Sequence, residues 1–322
     1  MVYFQTFLTH RGERHRAPEE GPLKTLSVVK QCSKKLGVSF CVLFGLFLSH
    51  MILLPSQSWG TPSDCKIEKN TIADRDLFDD FSHALLDKCK WIVVQNNWGG
   101  QVDGEDYNGG VVKDNVAVKD SRLHLQALGN HYSGPVRGID SKDKRRSHGR
   151  RTGAAIMTAQ RYLGGRFEAR VKIAAEFGVC SAMWTYINIA PPGEDVVNHE
   201  IDIEFPGRAH IDAPPSFDHV ALTNWIGLKP GQSTTVFRKL KKSAGEFQVL
   251  RFDWYPAGQN TPGKIDYYID DELIYTSNKN IPSTPAPLWL GVWFPKDWAG
   301  IPNFDQTVMQ VDWVRISSLK NL

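Results

Sequence analysis

Several short stretches of this chain alternate apolar and polar residues with a period of two. In residues 165–173, Phe167, Ala169, Val171 and Ile173 alternate with Arg166, Glu168, Arg170 and Lys172. Successive side chains of a strand point to opposite faces, so the pattern predicts a strand with one face in a core and the other in water. Residues 121–127, 247–254, 264–270 and 309–316 read as further strands. The run 264–270 then turns through Asp270, Asp271 and Glu272 into Leu273, Ile274 and Tyr275, which predicts a hairpin. Gly and Pro, 27 and 18 residues, punctuate these runs. No long segment carries a 3.6-residue period and no repeat is visible. Many short alternating strands predict an all-β fold, an antiparallel sandwich or barrel. A chain of 322 residues, 41% hydrophobic, supports a sizeable core, and β-sandwiches of this size are commonly one domain.

The first 75 residues have a different character. Residues 38–54 are apolar apart from two Ser and His50, and Lys34 and Lys35 stand just before them. A basic flank followed by a short apolar run is the pattern of a secretory signal, and a retained membrane anchor is the alternative. Ser56, Gln57 and Ser58 offer small residues for cleavage. The organisation expected is a leader over 1–58, an arm over 59–75 and one domain over 76–319, in a secreted or cell-envelope protein. Membrane contact is expected only through 38–54, if uncleaved.

Charge follows the same division. The formal net charge is +3, but residues 1–37 hold seven Lys or Arg against three Glu and residues 38–58 hold no charge, so the remainder nets −1. A near-neutral domain gives no electrostatic case for nucleic acid. The one densely basic stretch, residues 142–151, is expected as a solvated loop, with contact to an anionic polymer as the alternative. Of five Cys, Cys65 and Cys89 are expected to form a disulfide tying the arm to the domain in an oxidising compartment. Cys180, in an apolar run, is expected as a small buried residue. No Cys/His spacing resembles a zinc site.

Chemistry concentrates in residues 199–205. Glu200, Asp202 and Glu204 would share one face of a strand, while Ile201, Ile203 and Phe205 share the other and enter the core. Three acids on one strand face repel one another and raise one another's pKa, which costs stability. Glu200 and Glu204 would have Cα atoms about 13 Å apart, so side chains leaning together can reach the separation of about 5 to 5.5 Å used by retaining glycosidases, while relaxed rotamers can reach the wider gap of an inverting pair, and spacing alone does not fix the stereochemistry. A solvated acidic strand, a calcium site and a non-catalytic sugar-binding cleft compete with catalysis for this heptapeptide.

With these residues in place the sequence resembles glycoside hydrolase family 16. Its Glu-x-Asp-x-Glu signature, in the shorter form of lichenases and xyloglucan endotransglycosylases, is met by Glu200, Asp202 and Glu204. Residues 162–172, 180–186, 222–225, 252–256, 265–271 and 280–285 resemble further segments, in order, over roughly 76–318. The resemblance implies a β-jelly-roll sandwich of two antiparallel sheets with a concave substrate cleft. It implies Glu200 as nucleophile, Glu204 as acid/base and Asp202 as assisting carboxylate. Asn224, Tyr186 and Trp293 fall where the family contacts sugar rings, and Trp184, Trp225 and Trp298 are further candidate stacking platforms, with core packing the alternative for each of these aromatic residues. The chain departs from the lichenase pattern at Asn198, where those enzymes place a Trp, and at Met157, where they place an Arg. The implied activity is retaining endo-hydrolysis of a β-linked polysaccharide, a β-1,3- or β-1,3-1,4-glucan, by a monomer that requires no cofactor and has room for a structural calcium ion. A cell-wall transglycosylase and a non-catalytic lectin are the neighbouring alternatives.

Overall fold

The structure is a computed structural model that describes residues 71–73, 76–96, 108–135, 151–210, 212–242, 245–258, 261–295 and 298–319. These belong to one compact unit spanning Asp64–Leu322. The leader, the apolar run 38–54 and residues 142–150 of the basic stretch lie outside the described residues, as does Cys65. Cys89 is disulfide-bonded.

Among the described residues sixteen strands follow one another with a single short 3₁₀ turn. The first five are β1 (Leu77–Asp79), β2 (Trp91–Val93), β3 (Asn108–Val111), β4 (Val116–Lys119) and β5 (Arg122–Leu128). Then come β6 (Arg151–Thr158), β7 (Gly165–Lys172), β8 (Cys180–Ile189), β9 (Val197–Phe205), β10 (His219–Ile226) and β11 (Ser233–Lys239). The last are β12 (Gln248–Tyr255), β13 (Lys264–Ile269), β14 (Glu272–Ser277), β15 (Leu288–Trp293) and β16 (Gln306–Ser317).

They pair into two antiparallel sheets of a jelly roll. One runs β4-β5-β16-β7-β12-β13-β14, with β1 also on β16. The other runs β2-β6-β15-β8-β9-β10-β11. The two meet through a single pairing, Leu128 with Thr152, and β3 adds a parallel pairing to β6. The strands β8, β9 and β10 are therefore central to their sheet, bonded on both sides, which is what holds the acid-bearing strand rigid.

The core lies between the sheets. From the first sheet it takes Phe167, Ala169 and Val171, with Leu250, Phe252, Trp254, Ile265, Tyr267, Val314 and Ile316. From the second it takes Met183, Ile201, Ile203, Phe205, Leu222, Leu290 and Val292. Phe167 and Phe252 are cross-strand partners and stack with centroids 4.7 Å apart.

Turn chemistry accounts for the hairpins. Asp120 and Ser121 join β4 to β5, and Asp270 and Asp271 join β13 to β14, all four in the left-handed region. Two residues with positive φ give the turn whose twist matches that of the flanking strands. Asp270 also accepts the Val249 N–H at 2.8 Å, tying the turn to β12.

Two details differ from the sequence reading. A register shift between Val311 and Trp313 in β16 marks a bulge. It inverts the pleat, so Val314 and Ile316 enter the core while Trp313 and Arg315 face outward, and Arg315 packs against the Phe78 and Trp313 rings. Arg151, expected in the solvated basic loop, instead opens β6. It is buried and donates from Nε to Asn130 Oδ1 at 2.6 Å, because strand pairing draws the end of that stretch into the sheet.

Truncating one member of the Phe167–Phe252 stack tests this core. Phe252→Ala is expected to cost about 3–5 kcal/mol, as for large buried aromatics generally, and to appear as a lower urea midpoint with an unchanged slope.

Candidate active site

The strand β9 separates two chemistries by its pleat alone. Ile201 and Ile203 are fully buried against the other sheet. Asn198, Glu200, Asp202 and Glu204 project from the opposite face. Cross-strand register sets their neighbours: Glu200 lies between Trp225 of β10 and Tyr186 of β8, Asp202 between Thr223 and Trp184, and Glu204 between Ala221 and Ala182. Glu200 and Glu204 are half-buried, and Asp202, in the middle, is buried.

Packing three acids into this surface shifts all of them. Burial pushes Glu204 up to about 8, reinforced by the charge of Glu200. Burial also raises Glu200, to about 7, but hydrogen bonds with Asn198 and Asp202 oppose the rise. Asp202 is held well above the usual carboxylate range by burial, by its two charged neighbours and by its hydrogen bond to Glu200, with a bond from Trp225 acting the other way. Asp202 is thus the member that keeps its proton and donates it to Glu200, and the row titrates as a coupled unit. On the far side, Cys180 Sγ lies 4.0 Å from Glu204 Oε1, and burial beside that carboxylate keeps the thiol protonated.

Aromatic rings fill the same face. Trp184 stacks on Trp289 of β15 with centroids 5.5 Å apart, and Tyr186 meets Trp289 edge-on at 6.1 Å. Trp293 meets Trp298 edge-on at 5.8 Å. With Cys180, Ala155, Ala182 and Met157, they make a second apolar cluster, separate from the core between the sheets. Gly291 belongs to it for a steric reason: a Cβ there would sit 3.0 Å from Trp184 Cη2 and 3.1 Å from Ala155 Cβ. The bare backbone lets the indole lie across β15. The Tyr186 hydroxyl is buried beside Glu200 with no hydrogen-bond partner, and burial and that carboxylate push it up to about 12.

The structure therefore gathers Glu200, Asp202, Glu204, Trp184, Tyr186, Trp225 and Trp293 on one face. Trp184 and Trp293 are largely buried there, so Tyr186, Trp225, Trp289 and Trp298 present more of their surface. Trp289 was not among the residues picked out from sequence, although Trp289, Gly291 and Trp293 alternate as one face of a strand should. Met157, at the position of the lichenase Arg, pairs with Trp289 in the same row.

Asn224 is a correction. It pairs with Ile201, not with an acid, so the pleat turns it into the core, where it is 1% exposed. Its amide donates to Ser277 Oγ at 2.6 Å and to the Lys279 carbonyl at 2.9 Å, and its oxygen accepts the Tyr267 hydroxyl. It is a strut between the two sheets and cannot touch a sugar on the acid face. Among the described residues no group of three or more His, Cys, Asp or Glu is placed to hold a metal ion.

A jelly roll whose second sheet carries a row of coupled carboxylates among aromatic rings is the architecture of a carbohydrate-processing domain. Residues 104–315 match Glycosyl hydrolases family 16, and the chain belongs to that family. It is 30% identical over 158 residues to a beta-glucanase of Paenibacillus macerans, covering 48% of this chain and 60% of that one. It is 28% identical over 162 residues to a beta-glucanase of Bacillus subtilis strain 168, covering 49% and 60%. The match thus spans about three fifths of the length of those two relatives. In fold it is similar to a beta-1,3-1,4-glucanase (lichenase) derived from a mouse hindgut metagenome, with TM-score 0.57 and 21% identity over 76% of this chain and 100% of that one. It is also similar to the catalytic domain of an endo-1,3-beta-glucanase (laminarinase) from Thermotoga petrophila, with TM-score 0.56 and 18% identity over 74% and 95%.

Two measurements check the site. Asn224→Ala removes three hydrogen bonds from a 1% exposed position and is expected to lose about 1–3 kcal/mol of stability, with substrate KM unchanged because the side chain is on the wrong face. The raised acids make the second. A carboxyl whose pKa is raised by folding stabilises the folded state below its ordinary value of 4.5, and that contribution is lost as pH rises through the folded value of about 8. Glu204→Gln is therefore expected to melt higher than the unaltered protein, by a margin that grows across this range.

Proposed function

We propose that this chain is a retaining endo-acting glycoside hydrolase acting on a β-glucan with β-1,3 or mixed β-1,3-1,4 linkages. The observation that carries the reading is the unequal treatment of the two glutamates. Glu200 accepts hydrogen bonds from two sides, which favours its anion, whereas Glu204 has a 4.0 Å contact from the Cys180 thiol against burial and a neighbouring negative charge, which favour its acid. Two carboxyls whose environments push them apart define a nucleophile and an acid. The family and the beta-glucanase relatives support the substrate class.

The chemistry then runs in two displacements. A Glu200 oxygen attacks the anomeric carbon, the glycosidic C–O bond breaks, and its electron pair goes to the leaving oxygen, which takes the Glu204 proton. The product is a glycosyl ester on Glu200. Glu204, now a carboxylate, removes a proton from water, the hydroxide oxygen attacks the same carbon, and Glu200 departs as a carboxylate. Asp202 donates its hydrogen bond to Glu200 whenever Glu200 is ionised. A sugar hydroxyl in place of water would give transglycosylation by the same steps. Around the row, Tyr186, Trp225, Trp289 and Trp298 offer aromatic faces and edges to sugar rings. Residues 1–58 are read as an export leader, placing the enzyme outside the cytoplasm or in the envelope, where polymeric glucan would be met.

Reducing-end release from mixed-linkage and β-1,3-glucans, with the product anomer followed by NMR, tests the proposal. Retention is expected, with Glu204→Gln lowering turnover by about 10²–10⁴-fold. The dependence of kcat/KM on pH is expected to rise through about 7 as Glu200 ionises and to fall through about 8 as Glu204 loses its proton. Absence of product from every β-glucan, or an inverted first product, would overturn it.

A further inference from the structure

Glu200 carries a support that the two-displacement scheme does not use. Asn198, two residues earlier on the same face of β9, donates from Nδ2 to Glu200 Oε2 at 3.1 Å. Its own orientation is set by a second amide. Asn188, its cross-strand partner on β8, donates from Nδ2 to Asn198 Oδ1 at 3.2 Å. An amide has one accepting end and one donating end. By occupying the accepting end, Asn188 leaves only the donating end for Glu200. Were Asn198 reversed, two oxygens would face each other and the carboxylate would be repelled. Asn198 is 4% exposed, so water does not readily replace it on Glu200, while Asn188 lies at the exposed end of the pair.

We infer that Asn188 and Asn198 form a two-amide relay that positions Glu200 as an ionised, correctly aimed carboxylate, with Asn198 the positioning residue and Asn188 the residue that fixes its polarity. This rests on the reading of Glu200 as nucleophile. The other groups facing Glu200 cannot replace the relay. Glu204 and Asp202 are acids of the same row, and Asp202 has a single proton to share. Tyr186 on β8 is a neutral phenol whose hydroxyl makes no hydrogen bond, and Trp225 on β10 directs its donor to Asp202. Asn198 is therefore the one side chain outside the acid row that donates to Glu200 among the described residues, and it binds an oxygen that the nucleophile must keep oriented through both displacements. Asn198 also lies at the end of the acid row remote from Glu204, so it supports the nucleophile without crowding the acid.

The test compares Asn198→Ala, Asn198→Asp and Asn188→Ala with the unaltered protein, each confirmed folded by its melting temperature. Removing a hydrogen bond to a charged group is expected to lower kcat/KM about ten- to a hundred-fold. Most of the loss should fall in kcat, with the acidic limb of the pH profile moved to higher pH, because Glu200 without its donor holds its proton longer. Asn198→Asp, which turns an acceptor on Glu200, should move the limb further, and Asn188→Ala should move it in the same direction but less. The Glu200 carboxyl is also followed directly by carbon-13 NMR of labelled glutamate, with Glu200→Gln identifying the signal. Its titration midpoint should rise in the same order whether or not the protein turns over glucan. A midpoint and limb that coincide with those of the unaltered protein in both Asn198 variants would overturn the relay, even if KM or stability changed. Full activity in Glu200→Gln would instead overturn the reading of Glu200 as nucleophile and leave the titration result standing.

Discussion

Everything about the site depends on one constraint, the alternation of side chains along β9. A strand has no other means of placing three carboxylates within mutual reach while holding two isoleucines and a phenylalanine in a dry core. The arrangement sets a gain against a cost. Burial of Ile201, Ile203 and Phe205 anchors the strand from behind, and that same anchoring fixes the acids at spacings where they repel. Hydrophobic burial of such residues contributes about 1.5–3 kcal/mol each, enough to offset like-charge repulsion of a fraction of a kcal/mol to about one per pair. Because β9 is bonded on both edges, it cannot twist away to relax the repulsion. Burial of the row, reinforced by that repulsion at Asp202 and Glu204, appears as raised proton affinity, which is what the proposed acid role of Glu204 near neutral pH requires.

Differences among the three acids come from side chains of β9 and of both flanking strands. An isolated row would share its repulsion nearly evenly about its centre. Here Trp225 from β10 reaches Asp202, the Asn188–Asn198 pair from β8 and β9 reaches Glu200, and Cys180 from β8 stands near Glu204. The donors are graded from an amide on Glu200 through an indole on Asp202 to a distant thiol on Glu204, in the direction that leaves Glu200 the more easily ionised of the two glutamates. Polarity along the row is thus a property of the sheet.

How much of this could be read in the chain depends on whether a feature is local. Period-two alternation is local, so the strands of β7, β12 and β13 and the shared face of Glu200, Asp202 and Glu204 were legible directly. Partner parity is not local. Asn224 and Trp225 are adjacent, and only the β9–β10 register decides that Trp225 faces the acids while Asn224 faces the core. The resemblance to a family pointed to Asn224, but the pleat put it elsewhere. The bulge in β16 was half-legible, because Val311 and Val314 are three residues apart and strict alternation would have buried Arg315. Trp289 escaped notice although its alternation with Gly291 and Trp293 was in view. The reason Gly291 is glycine, a Trp184 ring laid across it from β8, required the tertiary structure.

The misplaced Asn224 explains something the acids alone do not. A strand that slips by one residue exchanges its faces, and for β9 this would bury three carboxylates and expose the core. Hydrophobic burial resists the slip but is not directional, so polar contacts on the core face supply the direction. Asn224 on β10 bonds Ser277 and the Lys279 carbonyl, and Tyr267 from the opposite sheet bonds Asn224 and the Thr223 carbonyl. One residue before Glu200, His199 turns the other way and accepts the N–H groups of Ser283 and Thr284 at 3.2 and 3.1 Å, a role open to it because burial keeps it neutral. Each bond is satisfied only in the native register, since a shift of one residue would carry its donor or acceptor through the sheet. Buried polar groups left without partners cost more than the bonds themselves contribute. The back of the sheet is therefore what keeps the front aligned: polar struts one residue out of phase with the acids make the position of the carboxylate row the only one in which both faces are satisfied.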